Sequence, residues 1–293
     1  MSDTSGKHFI IGVPTFNRAH LVERIVQSVQ QQNYSNWTLL FVDDCSADET
    51  KSIILNLAEA NSKIQYRRMS SNSGVNAVRN HIIDESKLID NNAYLLLIDD
   101  DDYLAPAALA LADQEIAAHS EFSWFSLNCN YQNGTAISKI AEYGVLSYLN
   151  DYMFGKAIKG DLTHILKLES LVDERFTSEF KNGEEWCFWV ALSLKYGMYA
   201  IDAPGSIKEY LEGGLTEAGF NRDKAIQVLQ LKIDTLEPIV GRKRMLHQYV
   251  SLAKHYLAIK NFSSAKLALA KVFKSSPLYF RQYKHWIRLY FSK

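Results

Sequence analysis

Four aspartates stand side by side at positions 99–102, directly after the apolar run "YLLLI" of residues 94–98. A strand so apolar belongs in the interior of a sheet, which leaves its end partly buried. Like-charged carboxylates crowded there raise one another's pKa unless a cation neutralises them. A hard divalent ion, Mg²⁺ or Mn²⁺, prefers carboxylate and phosphate oxygens and takes one or two protein carboxylates beside a substrate diphosphate. The run therefore reads as a metal site whose metal holds phosphates. The plainer alternative is a helix N-terminus, where the macrodipole favours acids and where Pro106 announces a helix.

The surrounding elements must bring such a site together. "HFIIGV" reads as a first strand ending at Pro14, followed by a helix with Leu21, Ile25, Val26 and Val29 on one face. "WTLLFVDD" is a second strand closing on Asp43 and Asp44. A helix follows with Asp48 as its cap and Ile53, Ile54, Leu57 and Ala58 on one face. "KIQYRRM" is a third strand, "SGVNAVRNHIIDES" a helix, "AYLLLIDDDD" a fourth strand and "PAALALADQEIAAH" the next helix, with Pro106 in its first turn. Strands alternating with helices imply right-handed crossovers and an α/β fold with a mostly parallel, doubly wound sheet. Ligands bind such sheets beyond the carboxyl ends of the strands. "PTFNR", "DDCS", "SNSG" and "DDDD" all fall at those ends. After Glu121 the pattern is less regular: "FSWFSLNCNY" reads as a strand, "ISKIAEYGV" as a strand or loop, and "GEEWCFWVALSLKYG" as a helix.

Residues 9–110, with "VDERF" and "NGEEWCFWVAL" further on, resemble the family-2 glycosyltransferases of GT-A fold, of the bacterial surface-polysaccharide type. The resemblance implies a Rossmann-like catalytic domain over residues 1–219, with a nucleotide-sugar half to about 120 and an acceptor half beyond. A basic helical extension over 220–293 completes the chain. It also implies roles for particular residues. Pro14, Thr15, Phe16 and Arg18 match the loop over the nucleotide base. One of Asp43 and Asp44 accepts from the ring N–H of the base. Gly74 lies in a segment lining the nucleotide, where Arg79 partners phosphate or the acidic cluster. Asp101 matches a direct metal ligand and Asp99 a ribose or water-mediated metal contact. Four consecutive aspartates leave the register open by one, so Asp100 stands as a nucleotide contact and Asp102 stays open. Inverting transfer needs a base to take the acceptor's proton. Glu185, ahead of Glu184, occupies that position, where relatives usually carry Asp. Two helix first-turn acids after Gly183 are the structural alternative. Trp186 is the expected acceptor-stacking ring, Trp189 a core residue, and His164 a possible acceptor contact with a structural alternative. The implied partners are a nucleotide-sugar donor, UDP-linked first, a glycan or lipid-linked acceptor, and Mn²⁺ or Mg²⁺.

The totals fit this reading. With 293 residues and 47% apolar content the chain buries a sizeable core. No apolar run approaches the ~20 residues that span a bilayer, and "MSDTSGKHFIIGV" lacks a charged-then-apolar leader, so a cytoplasmic protein is expected. Cys45, Cys129 and Cys187 are widely spaced without CxxC, which suggests reduced thiols. The net charge of −1 hides an asymmetry: residues 241–293 carry twelve Lys or Arg and no Asp or Glu. The remaining 20 basic and 33 acidic residues leave the body at −13. The tail mixes Tyr, Phe and Trp with Arg and Lys and contains a tetratricopeptide-like hairpin. It suits an anionic membrane surface, with packing against the acidic body as the alternative and nucleic acid not expected. Two rival functions are weighed. A nucleotidyltransferase should carry a Gly-rich basic loop after the first strand, and "VPTFNRAH" has none. A non-catalytic binding module should have lost acids that this chain keeps.

Overall fold

The computed structural model describes residues 6–180, 183–209 and 221–291. The chain divides into two compact units, Met1–Glu212 and Gly213–Lys293. The boundary expected at 219/220 lies outside the described residues.

The first unit opens with β1 (Phe9–Thr15), α1 (Val22–Gln30), β2 (Trp37–Asp43), α2 (Thr50–Ala60), β3 (Ile64–Arg68), α3 (Val75–Asp90) and β4 (Tyr94–Leu97). It continues through β5 (Tyr103–Leu104), α4 (Ala108–Ala118), β6 (Trp124–Tyr131), β7 (Lys139–Ile140) and β8 (Gly144–Leu146). β9 (Ile158–Lys159), β10 (Leu162–Lys167), α5 (Trp186–Ser193) and β11 (Met198–Lys208) complete it. Nine strands form one sheet in the order β3-β2-β1-β4-β10-β6-β11-β5, with β8 also on β11; β7 and β9 make a separate ribbon. The pairings run β1, β2, β3, β4, β6 and β11 in one direction and β5, β8 and β10 in the other. The sheet is thus mostly parallel, and the chain order reverses at β1, between β2 and β4. That switch point opens the crevice where doubly wound sheets take ligands.

Burial explains the order. β1 and β2 are buried along their whole length, so they need helices on both faces. Phe9, Ile11 and Val13 share one cluster with Val22, Ile25, Val26 and Val29 of α1 and Leu109, Ala112 and Ile116 of α4. Each of the Phe, Ile, Val and Leu side chains contributes about 1.5–3 kcal/mol on leaving water. On the other face α3 comes so close that a Cβ on Gly12 would lie 2.3 Å from Ile82 Cγ2.

Three details depart from the sequence reading. β4 ends at Leu97, before the aspartates, because the chain turns there and the Asp102 amide donates to the Asp99 carbonyl (3.1 Å). Pro106 lies ahead of α4, since Ala107 at φ 61° starts that helix only from Ala108. β10 and β11 were not anticipated. β11 is interrupted by Pro204-Gly205 and its register on β6 shifts there; a Cβ at Gly205 would be 2.7 Å from Thr163.

The second unit holds α6 (Arg222–Val240), α7 (Leu246–Ala258), α8 (Phe262–Ser275) and α9 (Tyr283–Phe291). Asn221 and Asn261 cap α6 and α8 by accepting from the amides of Lys224 and Ser264. The hairpin expected in the tail is α7 on α8, where Ala265, Ala268, Leu269 and Val272 form the buried stripe of α8.

Candidate active site

Because β1, β2, β4 and β11 run the same way, their carboxyl ends reach one rim. At the end of β1, Pro14 is still in register with Val42 and Thr15 is buried, while Phe16 is exposed. The loop after Phe16 is fastened to the loop after β2. Ser46 Oγ accepts from the Asn17 amide (2.8 Å), Thr50 Oγ1 from the Arg18 amide (2.9 Å) and Asp48 from the Ala19 amide (3.2 Å). Asp48 also takes the Thr50 amide (3.1 Å), but it stands one residue ahead of the cap position, which Glu49 occupies.

Asp43 and Asp44 are both buried but differ in spare capacity. Asp43 Oδ1 accepts from the Ser46 amide (2.8 Å) and hydroxyl (2.5 Å). Its Oδ2 accepts from the Tyr66 hydroxyl (2.7 Å) and Arg68 (3.4 Å). Among the described residues, Asp44 receives one donor per oxygen, the amides of Ser73 (2.7 Å) and Gly74 (2.8 Å). Each of its oxygens therefore keeps a lone pair. Gly74, at φ 87°, makes the turn into α3 that presents those amides.

The turn after β4 sorts the four aspartates. Asp99, Asp101 and Asp102 bring carboxylate oxygens within 4.8 Å of one another, a group that can hold a metal ion. Asp100 turns aside, 3.5 Å from Arg18 Nε. Burial drives Asp100 and Asp102 up to about 7, against the pull of Thr15 and Arg18 on the first and of Lys208 on the second. Burial and the neighbouring Asp99 also raise Asp101. Burial presses Asp99 the same way, but the charges of Arg79 and Lys208 outweigh it and hold its carboxyl below the usual range. An all-oxygen donor set crowded with like charge fits a hard divalent cation.

Besides Arg18, three cations border the cluster, and two of them, Lys208 and Arg24, were missed in the sequence. Lys208, at the end of β11, donates to Asp102 Oδ2 (2.6 Å) and lies 3.9 Å from Asp161. Nothing in its local sequence sets it apart; only the parallel course of β11 carries it to the rim. Arg24 of α1 grips the Asp101 carbonyl and the Glu209 carboxylate. Arg79 was expected beside phosphate or the acidic cluster. Its buried guanidinium spans two carboxylates, with Nη2 donating to Asp99 (2.7 Å) and Nη1 to Glu185 (2.8 Å). Burial opposes that charge, and Asp99 and Glu185 together restore it.

Glu185 reaches Arg79 because α3 holds the preceding segment. Asn76 Nδ2 donates to the carbonyls of Thr177, Phe180 and Gly183 (3.1, 3.1 and 2.9 Å). Asn80 both donates to the Phe176 carbonyl (3.0 Å) and accepts from its amide (2.8 Å). Gly183 and Glu184 then turn at φ 84° and 64°, and Glu185 leads into α5. Asn76, Arg79 and Asn80 follow the i, i+3, i+4 spacing of one helix face, a signal legible in "NAVRN" though not used.

The aromatic expectations need correction. Trp186 is buried at 8% exposure and donates its indole N–H to Glu184, so its ring is not the open platform anticipated. Trp189 is the less buried of the two, with its ring 4.0 Å from that of His164. His164 Nδ1 accepts from Trp124 Nε1 (3.1 Å) and lies 2.7 Å from Ser126 Oγ. Indole only donates, so the neutral ring carries its proton on Nε2. Burial lowers His164 to about 3.

Residues 10–154 match the model of glycosyl transferase family 2. The chain is 28% identical over 271 residues, 84% of each protein, to the GalNAc(5)-diNAcBac-PP-undecaprenol beta-1,3-glucosyltransferase of Campylobacter jejuni. It is 23% identical over 193 residues, 65% of this chain and 71% of the other, to the UDP-Glc:alpha-D-GlcNAc-diphosphoundecaprenol beta-1,3-glucosyltransferase WfgD of Escherichia coli. In fold it is similar to TarS of S. aureus crystallised with UDP-GlcNAc, at a TM-score of 0.65 and 16% identity over 91% of this chain and 88% of that one. Its strand-end acids, its sheet and these likenesses agree: the chain belongs to glycosyl transferase family 2, among glycosyltransferases of bacterial glycan synthesis.

Proposed function

We propose that the chain transfers a sugar from a UDP-sugar to a hydroxyl of a lipid-linked glycan, with inversion at the anomeric carbon, on the cytoplasmic side of a membrane. The observation that carries this reading is the Arg79 bridge, which ties the acidic cluster through Asp99 to Glu185. One guanidinium thereby links the residues suited to a donor diphosphate with the residue suited to an acceptor proton. The C. jejuni relative named for an undecaprenol-linked acceptor supports the acceptor class, and TarS with its UDP-sugar supports the donor class.

Phe16 covers the base, and Asp44 accepts from its ring N–H with the lone pair its backbone donors leave over; the filled Asp43 holds the loop instead. Asp99, Asp101 and Asp102 would hold Mg²⁺ or Mn²⁺. When bound, that ion neutralises the charge that develops on the departing diphosphate. Lys208 and Arg18 add fixed positive charge on either side of the cluster. Glu185, held in place by Arg79, takes the proton of the acceptor hydroxyl as its oxygen attacks the anomeric carbon and the C–O bond to the diphosphate breaks. Glu184 is committed to the Trp186 indole and positions the turn. The test is Glu185→Gln, expected to lower kcat by about 10²–10⁴ while UDP affinity stays within a few-fold. Unchanged turnover would remove Glu185 from the base role.

A further inference from the structure

Between α8 and α9 the chain makes a short loop, residues 276–282, that behaves unlike an ordinary helix connection. Its two large apolar side chains point outward: Leu278 is 89% exposed and Phe280 75%. The loop is nevertheless firmly built. Gln282, fully buried, donates through Nε2 to the carbonyls of Ser276 (3.2 Å) and Pro277 (3.1 Å), and the Tyr283 hydroxyl donates to Pro277 as well (2.6 Å). A loop so tied holds Leu278 and Phe280 in water at a standing cost, and exposed apolar groups fixed in this way mark a contact surface.

The chemistry of the rim says what the contact is. Lys274, Arg281 and Lys284 are exposed on either side of the two apolar tips, and no Asp or Glu occurs anywhere from 241 to 293. α9 continues the pattern. His285 and Leu289 face inward, while Ile287 is exposed on the outer side, where Lys284 is its helix neighbour three residues back. Apolar tips collared by positive charge alone complement a surface that is anionic outside and apolar beneath. A protein partner would need the same two layers; a nucleic acid supplies no apolar layer for Leu278. We infer that residues 274–287 form a membrane-docking wedge, with Leu278 and Phe280 entering the headgroup boundary of an anionic bilayer and the basic collar resting on the phosphates. The wedge adds a mode of attachment to the membrane location proposed above, and it is argued from the second unit alone.

The test is co-sedimentation of the full chain with vesicles of phosphatidylcholine alone or with about a third phosphatidylglycerol, at low and high salt. Binding to the anionic vesicles alone, weakened by salt, is expected. Leu278→Ser and Phe280→Ser should each weaken it about tenfold, and Lys274→Gln, Arg281→Gln and Lys284→Gln about fivefold each. UDP titrations on the same variants should match the parent. Equal binding to both vesicle types, no binding to either, or full binding by the Leu278→Ser/Phe280→Ser variant would overturn the wedge. So would loss of a dimer, seen by light scattering, as the variant's main effect. The vesicles carry no sugar donor or acceptor. A chain that ignores them yet glycosylates a detergent-dispersed acceptor therefore refutes the wedge and leaves the transferase reading standing.

Discussion

Replacing Arg79 tests the organisation of the site most sharply. In Arg79→Met, two charge-assisted hydrogen bonds disappear, each worth about 1.5–3 kcal/mol in a buried setting. The carboxylates of Asp99 and Glu185 are 44% and 39% exposed, so water replaces part of each bond and about half that value is the fair expectation. The guanidinium also lies 5.5 Å over the Phe176 ring, adding about 0.5–1 kcal/mol. The sum is about 2–4 kcal/mol, or a fall in Tm of about 4–16 °C for a unit of this size. Arg79→Lys separates charge from geometry, because one ammonium cannot occupy both the Nη1 and the Nη2 positions. It should recover part of the stability and little of the turnover, since Glu185 is no longer held toward Asp99. Thermal unfolding read beside sugar transfer distinguishes the effects. Wild-type kcat in Arg79→Lys, or a Tm in Arg79→Met within about 1 °C of the parent, would refute the bridging role.

Further outcomes follow from the same geometry. Asp43→Asn places an amide where four donors converge, so it should cost about 2–4 kcal/mol in urea unfolding and leave nucleotide preference intact. Asp44→Asn should instead weaken UDP binding, seen by calorimetry, with a smaller stability cost. His164 holds its folded pKa near 3, below an unfolded value of about 6.5. Between those limits the unfolded chain binds a proton that the folded chain refuses, so stability falls as pH falls, by up to about 1.4 kcal/mol per pH unit. His164→Gln should flatten that part of the profile in denaturant titrations at pH 4–7.

The first half of the fold was legible because its strands are apolar runs parted by periodic helices, and each run ends in polar residues that a parallel sheet gathers on one rim. β10 and β11 escaped notice for opposite reasons. β10 is a polar-interrupted strand placed antiparallel within the sheet, and β11 carries a Pro-Gly break that its bulge absorbs. The clustered acids were visible as a run, but their sorting was not. Which aspartate turns toward Arg18 and which toward Lys208 is decided by the Asp99–Asp102 turn and by a lysine 106 residues away. Arg79 shows the same limit, with partners 20 and 106 residues distant. Trp186 is buried where an open ring was expected, because it lies on a helix apolar on every side, where periodicity does not say which ring faces outward.

In the proposed function the Asp99–Asp102 turn holds a cation that in turn holds the donor's diphosphate. Calorimetric titration of UDP into the protein, with Mn²⁺ and with EDTA, tests it most directly. Binding with Mn²⁺ that is abolished by EDTA and by Asp101→Ala is the predicted result. UDP binding that survives both, or that is absent with Mn²⁺ present, would contradict it.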